Sequence, residues 1–269
     1  MKSFISILIT IYTATLSYAQ GYDYKLVKQL DQTAQYIIVD QLQQLYTVAD
    51  DYQLNKYGTS GKLLNTYNEN SLGAISHIDV SNPLQLLVYY QEYNTIVFLD
   101  RTLSELYRVD LMNLDIFQVN ALAISQDNNL WFYDVNTATL KKVNQQGEVL
   151  QESADLTLLV DEAINSSFLI EYNNRVYLNN PAEGIMVFDL FGGYLQTIEL
   201  ISLDFFQVYE DQLFYLENSI LKSFDLNILQ TSEIELPVNH ENLQQVCIAQ
   251  EHLYLHYPNK VMIYQIEKK

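Results

Sequence analysis

The amino-acid sequence predicts an all-β fold, a six-bladed β-propeller, from three observations. The first is a repeat: a polar turn followed by an apolar pair recurs six times, as in QQLYTVAD, NNLWFYD and EHLYLHYP. One strand-like run precedes each turn and two more follow the pair, so each unit holds four short strands. Four strands in about 40 residues are typical of a propeller blade. The anchor residues of the six units are Leu45, Leu86, Leu130, Val176, Leu213 and Leu253.

The second observation is that the two ends of the chain complete one another. The sixth unit, QQVCIAQ, HLYLHY and VMIYQIEKK, is one strand short, whereas Tyr24 to Leu30 form an extra strand before the first unit. We expect this N-terminal strand to be the outer strand of the last blade, because a closed ring removes exposed sheet edges. A seven-bladed ring is the alternative, with a degenerate unit between Thr157 and Ser167.

The third observation is the local composition. Tyr, Ile, Val and Phe are abundant where strands are expected, and a helical period is hard to find after residue 24. Glycines fall between the third and fourth strands of several units, where a positive φ is expected in a tight hairpin. These glycines are Gly58, Gly61, Gly147, Gly192 and Gly193.

The first 19 residues have the three parts of a secretory signal peptide. Lys2 gives a positive start, Phe4 to Leu16 are mainly apolar, and Ser17-Tyr18-Ala19 is a small-x-small cleavage site. We expect cleavage after Ala19, which leaves residues 20–269 as a single propeller domain. The apolar run is too short to span a membrane, so we expect the mature protein to be peripheral to a membrane rather than inserted in it.

The charge balance narrows the possible partners. The chain has 14 Lys and Arg against 33 Asp and Glu, a formal net charge of −19. A protein this acidic repels nucleic acid and anionic lipid surfaces, so we expect no nucleic-acid partner. The only cysteine, Cys247, excludes an internal disulfide and lies among apolar neighbours, which predicts a small buried side chain.

The sequence contains no recognisable catalytic motif, and we predict no catalytic residue, no metal and no cofactor. His252 and His256 would lie about 13 Å apart on one strand, too far for one ion, and we expect both at the surface. His77 is expected to be partly buried. Adjacent acidic residues such as Asp50 and Asp51 point to opposite faces of a strand. A weak calcium site assembled from several blades stays open as an alternative.

The candidate partner-binding residues come from two sets of loops that we expect to gather on one face around the channel mouth. The loops joining second to third strands are rich in Tyr, Asn, Asp and Glu, and tyrosine suits recognition surfaces. Two loops between blades, MNLDIFQ and TLLVDEAI, are apolar, and exposed apolar patches mark partner surfaces. Alternatively, these apolar residues fold inward and close the channel. The candidates are Asp51, Tyr52, Tyr90, Glu92, Tyr93, Leu114, Ile116, Phe117, Leu158, Leu159 and Tyr257.

Over essentially its whole mature length, and most closely from Ile75 to Leu150, the chain resembles a family of exported six-bladed β-propellers of Bacteroidota. The resemblance rests on ISHIDVSNPLQLLVYYQEYNTIVFLDRTLSELYRVDL and DNNLWFYDVNTATLKKVNQQGEVL, and the signal-peptide ending YAQG is similar. The family includes the periplasmic plug subunit of the type IX secretion translocon. The resemblance therefore implies a location in the periplasm at the inner side of the outer membrane. It also implies a large outer-membrane β-barrel translocon as partner, and no catalytic residues.

These observations favour a non-enzymatic protein-interaction module of the periplasm, and the family likeness makes a translocon plug the specific form of that hypothesis. The alternative is a ligand-binding or hydrolytic propeller that acts on glycans, peptides or lactones. A third hypothesis is a structural propeller that stabilises a neighbouring chain.

Overall fold

The computed structural model describes residues 22–160, 162–166, 168–238 and 241–268. These residues form six antiparallel sheets of four strands each, and the predicted six-bladed propeller is confirmed. The seven-bladed alternative is wrong, because the stretch that it required holds a 3₁₀ turn, Leu156–Leu158, and the connection between two blades. The predicted signal peptide lies outside the described residues, and its cleavage site and the domain boundary stay predictions.

The strands of each blade follow one another from the channel outward. Blade 1 holds β2 to β5, at Tyr36–Val39, Leu45–Val48, Leu54–Tyr57 and Leu63–Tyr67. Blade 2 holds β6 to β9, at His77–Asp79, Leu86–Tyr90, Thr95–Leu99 and Glu105–Asp110. Blade 3 holds β10 to β13, at Val119–Ile124, Leu130–Asp134, Thr139–Val143 and Val149–Glu152.

Blade 4 holds β14 to β17, at Leu169–Tyr172, Arg175–Asn180, Gly184–Phe188 and Tyr194–Ile198. Blade 5 holds β18 to β21, at Phe206–Tyr209, Gln212–Glu217, Ile220–Asp225 and Gln230–Ile234. Blade 6 combines β22 to β24, at Gln245–Ala249, His252–Tyr257 and Lys260–Lys268, with β1, at Tyr22–Leu30. Strand β1 pairs antiparallel with β24, so the predicted closure of the ring by the N-terminal strand is confirmed.

The hydrophobic core is divided into six clusters, and each lies between two neighbouring blades. Between blades 3 and 4, for example, the fully buried Trp131 packs in one cluster with Leu178 and Phe188. Full burial of one such side chain contributes about 1.5–3 kcal/mol to folding. Cys247 is buried between blades 6 and 1, as predicted, and burial raises the pKa of its thiol to about 12.

Hydrogen bonds from the innermost strands join one blade to the next. The Gln245 side chain in blade 6 both donates to the carbonyl of Ile37 in blade 1, at 2.8 Å, and accepts from its N–H, at 2.9 Å. Gln207 makes the same pair of bonds to Ile248, at 2.7 and 2.8 Å. These side chains lock the register of neighbouring blades around the channel, since each amide satisfies a backbone donor and acceptor together.

The alternation of strand direction gives the disc two faces. The lower face carries the loops joining second to third strands and the connections between blades, because both start where strands end on the same side. Backbone hydrogen bonds join these two sets of loops, as from Leu111 N–H to the Asn94 carbonyl at 3.0 Å and from Ser202 N–H to the Pro181 carbonyl at 2.7 Å. The upper face carries the remaining loops.

Candidate functional site

The central channel holds two cavities, one opening at each face. The wide cavity, of about 780 Å³, is lined by the loops joining first to second strands on the upper face. The narrow cavity, of about 270 Å³, lies at the lower face. Phe168 and Phe205 line both cavities, and their ring centroids are 5.3 Å apart. These two rings therefore separate the cavities within the channel.

Three carboxylates line the wide cavity, and each is nearly fully buried: Asp40, Asp79 and Glu171. Glu171 accepts hydrogen bonds from Trp131 Nε1 at 2.6 Å and from Gln126 N–H, in blade 3, at 2.9 Å. Asp79 accepts from Ile124 N–H, also in blade 3, at 2.7 Å. The two side chains therefore hold blade junctions together, which is a structural use of these carboxylates.

Asp40 has a comparable role within its own blade. Its Oδ1 accepts from the N–H groups of Leu42 and Gln44, both at 2.9 Å, and its Oδ2 accepts from the Tyr46 hydroxyl at 2.9 Å. Burial raises the pKa of Asp40, and these three hydrogen bonds counteract part of that rise.

The rim of the wide cavity carries side-chain amides that are bonded to one another. Gln43 donates to the Oε1 atom of Gln250 at 2.6 Å, and Gln250 donates to the Gln41 carbonyl at 3.0 Å. Asn82 donates to the Oδ1 atom of Asn128 at 3.0 Å. Amides in such an arrangement are able to exchange partners with the hydroxyl or amide groups of a ligand. Sequence reasoning missed this cavity, because its lining comes from loops of six separate repeats.

His256 lines the narrow cavity and is 1% exposed, so the prediction of a surface histidine is wrong at this position. Its Nε2 atom lies 3.0 Å from the Ala34 carbonyl and donates to it, whereas Nδ1 has no partner among the described residues. Burial lowers the pKa of His256 and of the partly buried His77 and His252, so all three side chains favour the neutral form.

Most of the predicted partner-binding residues lie exposed on the lower face. Leu158 is 80% exposed, Phe117 is 59% exposed, and Leu114 is half-buried. The other exposed candidates are Asp51, Tyr52, Glu92, Tyr93 and Leu159. The predicted loop face is therefore the face of the narrow cavity, not that of the wide one.

Three candidates do not contribute to this exposed surface. Tyr90 is 1% exposed, and Ile116 and Tyr257 are each 7% exposed. Tyr90 and Tyr257 are the last residues of second strands, and their rings pack between blades. Ile116 packs between blades 2 and 3, and its carbonyl accepts a hydrogen bond from Asn94 at 2.6 Å. Their placement as exposed loop residues was wrong.

Two connections on the lower face share a local structure that explains which apolar residues are exposed. Each connection contains a 3₁₀ turn, Leu111–Leu114 or Leu156–Leu158, that directly follows an aspartate. The side chain of that aspartate accepts a hydrogen bond from the backbone N–H two residues further on, of Met112 or Thr157, at 2.9 Å. The leucine after the aspartate is buried and anchors the turn, so the next residues face solvent. The repeated Asp-Leu pair, in DLMNL and DLTLL, is the sequence signal for this arrangement.

Two further apolar residues on the lower face were not predicted, Met112 and Ile201, and both are more than half exposed. Among the described residues, no group of three His, Cys, Asp or Glu side chains is placed to hold a metal ion. The described part of the chain also contains no helix of the length and hydropathy that crossing a bilayer requires.

Comparison with solved structures finds the same fold at low sequence identity. A structural genomics protein of unknown function from Bacteroides thetaiotaomicron superposes with a TM-score of 0.65 at 11% identity, over 93% of this chain and 77% of that chain. Virginiamycin B lyase from Staphylococcus aureus superposes with a TM-score of 0.62 at 11% identity, over 90% and 99% of the two chains. The WD40 domain of Neurospora crassa Pan2 superposes with a TM-score of 0.63 at 9% identity, over 92% of this chain and 96% of that chain.

These likenesses establish the fold alone. The similar structures include a lyase and a WD40 domain, and one propeller architecture hosts many activities. No protein-family model matches this chain, and no curated protein sequence matches it significantly.

Proposed function

We propose that this protein is a non-enzymatic interaction module that docks onto a protein partner through its lower face. The observation that carries the proposal is a set of large apolar side chains exposed on that face. They belong to loops of blades 1 to 5, and the capped turns fix the outward positions of Met112 and Leu158 among them. The set consists of Tyr52, Tyr93, Met112, Phe117, Leu158, Leu159 and Ile201.

Exposed apolar side chains of this size are suited to binding. Burying a single Leu or Phe against a partner contributes about 1.5–3 kcal/mol, and a few such residues dominate a typical interface. The three carboxylates of the wide cavity are already hydrogen-bonded to backbone, Tyr or Trp donors, which supports a structural use rather than acid–base catalysis.

In its specific form, the proposal is that the protein is exported to the periplasm and lies at the inner side of the outer membrane. There it closes the periplasmic end of the type IX secretion translocon, a large outer-membrane β-barrel. The sequence resemblance supports this role, as does a channel in which Phe168 and Phe205 lie between the two cavities. A disc held by six inter-blade cores is a rigid body of the kind that a plug requires.

The test is a pull-down of tagged protein from its native outer membrane in mild detergent, with the partners identified by mass spectrometry. The double variant Phe117→Asp and Leu158→Asp is expected to lose the partner while keeping its fold, because both side chains are exposed. The matched control is Phe191→Asp on the upper face, where Phe191 is 72% exposed. Recovery of a translocon barrel with the wild-type protein would support the plug. Recovery of a different specific partner would support only the more general proposal of an interaction module. Equal recovery by both variants would remove the lower face as the docking surface.

The wide cavity favours a second candidate function, ligand binding or hydrolysis acting on glycans, peptides or lactones. Its volume of about 780 Å³ is in the range of small-molecule sites, and aromatic and amide side chains line it. Thermal-shift measurements with sugars, peptides and calcium test this candidate. A ligand that raises the melting temperature of the wild-type protein, and not of a Tyr209→Ala variant in the cavity wall, would support it.

A further inference from the structure

The lower face combines apolar side chains with one sign of charge. Its loops contain thirteen described carboxylates and neither Lys nor Arg. The upper-face loops have eight carboxylates together with Lys62 and Arg101. The lower-face carboxylates are Asp31, Asp50, Asp51, Glu69, Glu92, Asp115, Asp155, Glu162, Glu183, Glu199, Asp204, Glu235 and Glu241.

The charges and the apolar residues share the same three connections between blades. Asp115 lies in the connection from blade 2 to blade 3, beside Phe117, and Glu162 lies in the next connection, which also holds Leu158. Glu199 and Asp204 flank Ile201 in the connection from blade 4 to blade 5. The side chains of Asp115, Glu162, Glu199 and Asp204 are exposed and have no hydrogen-bond partner among the described residues.

The distribution of positive charge adds to this asymmetry. Arg108, near the end of β9, is paired with Glu105 and Glu69, and Lys222 in β20 is paired with Glu217. These two cations are therefore neutralised locally, whereas Lys260, at the lower end of β24, lies over an aromatic ring. The four carboxylates without partners leave a negative potential over the same area in which the apolar side chains are exposed.

We propose that the partner of the lower face is a positively charged protein surface, with Lys or Arg residues around apolar contacts. This inference rests on the proposed docking function and specifies the chemistry of the partner. A second copy of the chain would bring like charges together, and an anionic lipid surface would do the same, so neither matches this face. A basic partner is attracted electrostatically to the lower face as it approaches, and it then buries the apolar side chains on binding.

The experiment compares two fourfold variants in the same native-membrane pull-down at 50 and 500 mM salt. The lower-face variant combines Asp115→Asn, Glu162→Gln, Glu199→Gln and Asp204→Asn. Asn suits position 115 because Asp115 has a left-handed backbone, with φ 58°. The control combines Glu148→Gln, Glu210→Gln, Asp211→Asn and Glu251→Gln on the upper face. Both variants change the net charge by the same amount, so any difference between them reports the location of the charge.

We expect the lower-face variant to capture about tenfold less partner than the wild type at 50 mM salt, and the control to stay within about twofold. High salt should reduce wild-type capture towards the level of the lower-face variant. Carbodiimide coupling, which joins a carboxylate directly to a lysine amine, should link lower-face peptides to lysine-containing peptides of the partner.

The possible results separate this inference from the proposed function. If Phe117→Asp with Leu158→Asp abolishes capture while the lower-face charge variant and salt change nothing, the docking function stands and the basic partner is wrong. If capture is absent, or is insensitive to both the apolar and the charge variants, both proposals are wrong. If the wild-type protein self-associates and only the variant with Phe117→Asp and Leu158→Asp does not, a second copy of the chain occupies the lower face. The proposal of a basic partner would then be wrong.

Discussion

The two faces of the disc differ in how their acidic residues are bonded: aspartates in upper-face hairpins accept two backbone N–H groups, whereas Asp110 and Asp155 on the lower face accept one. On the upper face, a side chain at the start of a turn accepts backbone N–H groups two and four residues on. Asp100 accepts from Thr102 and Ser104, at 2.7 and 2.9 Å, and Asp189 accepts from Phe191 and Gly193, both at 2.8 Å. On the lower face, the carboxylates of Asp115, Glu162, Glu199 and Asp204 make no such bonds among the described residues.

This difference follows from the lengths of the loops at the two ends of each repeat. Hairpin turns on the upper face are short, and a carboxylate or amide there satisfies backbone donors that the turn leaves free. The connections between blades are longer and form their own 3₁₀ turns, so additional side chains project outward. The proposed docking function therefore predicts that substitutions on the two faces separate stability from partner binding.

The largest expected effect is at Glu171, a buried carboxylate of the wide cavity that accepts an indole and a backbone donor of the neighbouring blade. Glu171→Ala leaves Trp131 Nε1 and Gln126 N–H without their acceptor and should lower the free energy of unfolding by about 2–5 kcal/mol. Glu171→Gln keeps one acceptor oxygen and should lower the free energy of unfolding by a smaller amount. Urea unfolding followed by the fluorescence of Trp131 measures both. The lower-face control, Glu162→Ala, should change the free energy of unfolding by less than about 0.5 kcal/mol; equal losses at the two positions would contradict the comparison.

The repeat was sufficient to predict the blades and the closure of the ring, because strand period and turn chemistry are local properties of the chain. The burial of Tyr90, Ile116 and Tyr257 was not predictable in this way. Whether a side chain at the end of a strand, or in the connection that follows it, packs against the next blade depends on the register between blades. The wide cavity requires six repeats to be placed around one axis, which a pattern along a single chain does not supply.

A second test concerns the buried histidine behind the lower face. Burial lowers the pKa of His256 in the folded protein, whereas the unfolded chain takes up a proton below about pH 6.5. The unfolded state then binds more protons, so the free energy of unfolding should fall as the pH drops from 7.5 to 5.5. One such group contributes at most about 1.4 kcal/mol per pH unit.

The variant His256→Gln removes this titration and keeps an N–H donor that can bond the Ala34 carbonyl. Urea unfolding at a series of pH values should show a smaller slope for the variant than for the wild type. The residual slope combines contributions from His77 and His252, whose pKa values are also lowered by burial, with an opposite contribution from Asp40, whose pKa burial raises. An unchanged slope in the variant would mean that His256 is already accessible to solvent in the folded protein.

The smallest expected effect comes from comparing Asp189, which accepts backbone hydrogen bonds in a hairpin, with Asp204, which accepts none among the described residues. Asp189→Ala removes the acceptor of two backbone N–H groups in a hairpin whose Gly192 has φ 81°, and should cost about 1 kcal/mol of stability. Asp204→Ala on the lower face removes no hydrogen bond among the described residues and takes one negative charge from an acidic surface. It should leave the free energy of unfolding unchanged or raise it by a few tenths of a kcal/mol. Because Asp204 is one of the exposed carboxylates on which the proposed basic partner rests, the same variant should weaken capture of that partner. A loss of stability at Asp204 as large as that at Asp189 would assign both carboxylates to the fold and leave the lower face without its distinct role.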